Sequence, residues 1–121
     1  MGQRPSLLAR LTASADRLDA AELRDVVEKR SCVPVSELCR GRSVQIVGRL
    51  RAVVYTPSET VPTLEAQLFD GSESIDLVWL GRRRIAGIEP GRRVLARGRV
   101  GDHHGRLAMF NPWYELLPAD A

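Results

Sequence analysis

Near Arg42 the spacing of apolar residues changes from steps of three and four to steps of two, which divides the chain into a helical lead and a β-rich remainder. Val44, Ile46, Gly48 and Leu50 alternate with Gln45, Val47, Arg49 and Arg51, the pattern of a strand with one buried side. Gly48 falls mid-strand, where a missing side chain permits coiling or a bulge. A loop with Pro57 and Pro62 follows over 56–62. Leu64, Ala66 and Leu68 then alternate with Glu65, Gln67 and Phe69, and Ile75, Leu77 and Trp79 with Asp76, Val78 and Leu80. Asp70-Gly71-Ser72 between them is a hairpin signal. Gly81 ends the third strand. Arg82–Ile88 reads as one or two helical turns carrying Ile85 and Ile88 as apolar pegs, and Glu89-Pro90-Gly91 as a turn. Val94, Ala96, Gly98 and Val100 alternate with Arg93, Leu95, Arg97 and Arg99 as a fourth strand. Gly101–Gly105 closes a second hairpin. The fifth strand, Arg106–Phe110, breaks at Asn111-Pro112 and resumes through Trp113–Leu117.

Before Arg42, Leu7, Leu8, Leu11, Ala15 and Leu18 form one helical stripe. Asp19-Ala20-Ala21-Glu22 looks like a capping box opening a second helix with Leu23, Val26 and Val27 on its apolar side. The spacing predicts helices over 5–18 and 20–30, and a connector with one helical turn around Val35–Leu38. Residues 1–36 are therefore read as a helical extension with connector and 37–121 as the β domain. A length of 121 residues suits one such domain and needs no disulfide or metal to fold. Cys32 and Cys39 are separated by six residues, which matches no zinc spacing, so two reduced thiols and no metal or other cofactor are expected.

Five strands with a short helix between the third and fourth is the order of an oligonucleotide/oligosaccharide-binding (OB) Greek-key barrel. The residues resemble that family as well. LEAQLFDGSESIDLVWLG resembles the second-to-third-strand hairpin of the nucleic-acid-binding OB domains in class II aminoacyl-tRNA synthetases, replicative polymerase subunits and RecG-type helicases. EPGRRVLARGRVGDHHGRLAMFNPWYEL resembles their fourth-to-fifth-strand hairpin, most closely that of the RecG wedge domain. The resemblance spans about residues 42–117. It implies the binding module alone, because no helicase motor fits in this length.

Charge placement agrees with a nucleic-acid ligand. Of 18 basic residues only Lys29 is not arginine. Acids and bases cancel over residues 1–37, so the net charge of +3 belongs to residues 38–121. Arginine forks match phosphate oxygens and stack on bases. No phosphate loop, zinc-protease motif or nucleophile elbow occurs, which argues against an enzyme.

The resemblance implies binding across the second and third strands and their flanking loops. With Leu64, Ala66, Leu68, Ile75, Leu77 and Trp79 inside, alternation turns Gln67, Phe69, Val78 and Leu80 outward, beside Glu65 and Asp76. Arg49, Arg51, Arg97 and Arg99 join from the first and fourth strands. Tyr55 stands at one loop and His103, His104 and Arg106 at the other. The expected ligand is nucleic acid, single-stranded DNA before RNA, in repair, recombination or replication. The alternative is a protein adaptor, or self-association through the N-terminal helices. No window approaches a membrane span or a secretory core, so a cytoplasmic protein is expected.

Overall fold

A computed structural model describes residues 19–30 and 32–118. Six strands are present: β1 (Ser43–Thr56), β2 (Thr63–Phe69), β3 (Ser74–Leu80), β4 (Arg93–His103), β5 (Arg106–Phe110) and β6 (Trp113–Leu117). They form one sheet in the order β1-β2-β3-β5-β4-β6, and β4 also pairs with β1. Strands β1, β2, β3, β5 and β4 therefore close into a ring. All pairings are antiparallel except β3 with β5. The expected break in the last strand is present at Asn111, whose φ is 50°, and it splits that strand into β5 and β6, both on β4.

The ring closes because two long strands each serve two neighbours. β1 pairs with β4 through Ser43–Arg49 and with β2 through Arg49–Thr56. Between these stretches, Leu50 opposes Leu68 and Ala52 opposes Gln67, leaving Arg51 as an extra residue. Such a bulge bends the strand and sharpens its twist, which a small closed sheet requires. It also exchanges the two sides of β1. Ile46 and Leu50 point into the ring before it, whereas Val53 and Tyr55 pack against the core after it. Gly48 lies where the end of β2 crosses β1, and a Cβ there would run into the Phe69 carbonyl and come within 2.7 Å of Leu68.

The ring is filled by the residues that alternation selects, among them Ile46, Leu50, Leu64, Leu68, Ile75, Leu77, Trp79, Val94 and Met109. Trp79 is 4% exposed and meets Tyr114 edge-on at 5.8 Å, so it belongs to the core. Ile85 and Ile88 enter the same core as the expected pegs. The segment carrying them is not helical, which corrects the expectation of a helix between the third and fourth strands. One Ile88-to-Ile85 hydrogen bond forms, but Gly87 has φ 85° and is pressed against Leu116, which leaves a chain of turns.

Residues 19–29 are helical, and Val35–Glu37 is a single 3-10 turn. The helix expected at 5–18 lies outside the described residues. Ala20, Leu23, Val26 and Val27 are buried, a stripe at helical spacing. Val26 and Val27 pack with Cys32 against the outside of the ring at Val47, Leu95 and Leu117. Val47 thus faces outward as alternation requires and is nevertheless buried. The connector is held from within by Asp70, 1% exposed, whose carboxylate accepts hydrogen bonds from the Val35 amide (2.7 Å), the Ser72 amide (2.9 Å) and hydroxyl (2.6 Å), and the Glu73 amide (3.2 Å).

Candidate nucleic-acid interface

Strand register builds the outer surface of β1, β2, β3 and β5 as a grid. Val54, Glu65, Val78 and Phe110 form one row, and Ala52, Gln67, Asp76 and Ala108 the next. The β4–β5 hairpin rises beside these rows and brings His103, His104 and Arg106 to them. The result is a groove of about 240 Å³ lined by Ala52, Val54, Glu65, Gln67, Asp76, His103, His104 and Arg106.

The groove's acids and bases are matched to one another. His103 Nε2 lies 2.7 Å from Glu65 Oε1, spanning from β4 to β2. Arg106 Nε lies 3.0 Å from Asp76 Oδ2, with a second contact of 3.1 Å from Nη2 to Oδ1. The two carboxylates that the sequence places on this surface therefore hold its two nearest bases in position. The His103 ring meets Phe110 edge-on at 5.4 Å and His104 at 4.1 Å, which groups three rings at the groove's edge. Arg40 donates to Asp102 Oδ1 at 2.7 Å and ties the hairpin to the turn before β1. That bond, with the Gly105 amide, holds the Asp102 carboxyl below the usual carboxylate range.

The residues picked out by sequence separate into three groups. Gln67, His103, His104 and Arg106 come together in the groove, and Leu80 is exposed one row beyond Val78, opposite Thr63. Arg51 and Phe69 meet at the bulge, the guanidinium 3.8 Å above the ring. Arg97 and Arg99 are exposed on the outer side of β4, with Arg97 4.2 Å over Trp113. Three placements differ from the expectation. Arg49 is 2.9 Å from Asp19 and lies against the helical segment, because β1 passes beneath it there. Tyr55 packs against the core, because the bulge reversed the strand's sides. Val78 is fully buried, a short side chain between Glu65 and Phe110 in its row. Arg82, Arg83 and Arg84 are exposed, and Arg83 reaches to 5.7 Å over Tyr55.

Two exposed aromatics were not among the chosen residues. Phe110 is 40% and Trp113 50% exposed. The signal was present for Phe110, since Leu107 and Met109 set an alternation that turns it outward. Trp113 follows the Asn111 kink, where the phase cannot be carried across.

Among the described residues no group of three or more histidine, cysteine or acidic side chains could hold a metal, and no helix is long and apolar enough to cross a membrane. Cys32 and Cys39 are free thiols.

No protein-family model matches the chain, and no curated protein matches its sequence. Among solved structures it is similar to RecG bound to a three-way DNA junction, with a TM-score of 0.59 and 22% identity over 71% of this chain. The chain spans only 12% of that protein's length.

Proposed function

We propose that this chain is a non-catalytic module that binds nucleic acid, single-stranded or branched DNA before RNA, and serves DNA repair, recombination or replication. The ring is read as an OB barrel, whose second and third strands and bordering loops form the usual oligonucleotide platform. The observation that carries the proposal is the groove over β2 and β3, walled by the hairpin with His103, His104 and Phe110. Single-strand sites combine aromatic stacking platforms with cations that follow the backbone. Here the rings stand at the groove's edge, Gln67 offers both donor and acceptor, and the exposed Arg51, Arg97 and Arg99 lie farther along β1 and β4. The likeness to a DNA-junction-bound RecG supports the choice of DNA. The adaptor reading loses support because Val26 and Val27 are already packed on the ring.

Fluorescence anisotropy with labelled single-stranded DNA, single-stranded RNA and forked duplex tests the proposal. Binding to the DNA probes should be tightest and should weaken with salt, with a log–log slope near −0.7 per phosphate neutralised on single strands. No binding at low salt, or an affinity indifferent to salt, overturns it.

A further inference from the structure

The outer side of β4 continues beyond the groove. Every second residue of the strand faces out, so Arg97, Arg99, Gly101 and His103 form one column, about 20 Å long at ~3.3 Å per residue. His103 is at the groove end. Gly101 follows, and the Phe110 ring lies beside it, 3.9 Å from where a Cβ would stand. Arg99 and Arg97 come next, and neither has a carboxylate partner among the described residues. At the far end Trp113, in register with Arg97, is half exposed under that residue's guanidinium beside a concavity of about 550 Å³. Inside the groove His103 and Arg106 are held by acids, whereas Arg97 and Arg99 have no carboxylate partner among the described residues. A half-exposed tryptophan under an arginine on an exposed sheet face can receive a base on its ring when the guanidinium swings from the ring to the phosphate.

We infer that a single strand of nucleic acid leaves the groove over His103, runs along the outer side of β4, and places a base on Trp113. This rests on the nucleic-acid reading and extends the site to β4 and β6. Arg97 and Arg99, without carboxylate partners among the described residues, favour a polyanion over an apolar peptide as the occupant.

Trp113 reports on its own occupancy, because Trp79 is buried. The full chain is titrated at low salt with (dT)5 and (dT)15, following tryptophan emission and, separately, probe anisotropy. The expected result is quenching by (dT)15 that Trp113→Phe reduces. Trp113→Leu should weaken (dT)15 at least fivefold, the lower end of one base–aromatic stack, and (dT)5 less than twofold. Arg97→Gln with Arg99→Gln should flatten the salt slope for (dT)15 by about 1.4, at 0.7 per phosphate. Circular dichroism and melting confirm that the variants fold. Binding of (dT)15 without quenching and unweakened by Trp113→Leu overturns this path and leaves the groove reading standing. Trp113 emission already blue-shifted in the free protein means that another part of the chain covers the ring, which also overturns the path. Absence of all binding overturns both.

Discussion

Among the described residues, Asp70 gathers hydrogen bonds from both the connector and its own turn. Four donors converge on its buried side chain, one of them the Val35 amide from the connector. Asp70→Ala would leave those groups unpaired and is expected to cost roughly 2–4 kcal/mol in urea unfolding, from the penalty on buried donors that lose a charged acceptor. Sequence marked this aspartate only as part of a turn, because turn propensity is local and Val35 is 35 residues away. Gly48 was legible as a special position, and its reason is the crossing of β2: Gly48→Ala is expected to cost about 1–3 kcal/mol by overpacking. The thiols differ as well. Burial pushes the Cys32 thiol up, against a smaller opposing effect of the Gln45 amide, while Cys39 is exposed. Iodoacetamide at neutral pH should therefore modify Cys39 first, as peptide mass spectrometry would show.

Elements were the most legible level. Alternation located every strand of the ring and the core that fills it, because a strand with one buried side writes its period directly into the sequence. It failed where period-two logic is interrupted. The Arg51 bulge shifted Tyr55 inward, and the helical segment covered Val47 and claimed Arg49, both outcomes of tertiary contacts that no local window contains. Residues 82–88 failed for another reason: two isoleucines three apart fit a helix, and they fit a looped pair of pegs equally well. The helical segment gives a test. Leu23 is 1% exposed, so Leu23→Ala is expected to destabilise by about 2–5 kcal/mol while oligonucleotide affinity stays within twofold. The β4–β5 hairpin gives another. Because Asp102 is held below its usual range, its bond to Arg40 contributes above that range and is lost as pH falls through the folded value. The small melting difference between the native chain and Asp102→Asn should accordingly shrink on acidification and vanish in strong acid.

For the whole molecule, the distribution of paired and unpaired charge decides where a polyanion can lie. Arg49 is engaged by Asp19, Arg93 by Glu22 and Arg106 by Asp76, whereas the outer side of β4 carries Arg97 and Arg99 unpaired among the described residues. Arg97→Ala should weaken oligonucleotide binding in anisotropy titrations, and Arg49→Ala should leave it within twofold. Equal losses would mean that overall charge, and not position, governs affinity. The bulge at Arg51 carries a further consequence, for what the chain tolerates in its own heredity. A library of single substitutions scored for folding would keep time along β1: positions 44, 46, 48 and 50 would reject polar residues, then the beat would slip by one, and 53 and 55 would reject them. Loss of the single codon for Arg51 would join Leu50 to Ala52 in an unbroken alternation that keeps Val53 and Tyr55 on the core, so a deletion of three nucleotides there should cost the bend alone and prove far milder than the same deletion at Gln67, which would turn half of β2 out to water.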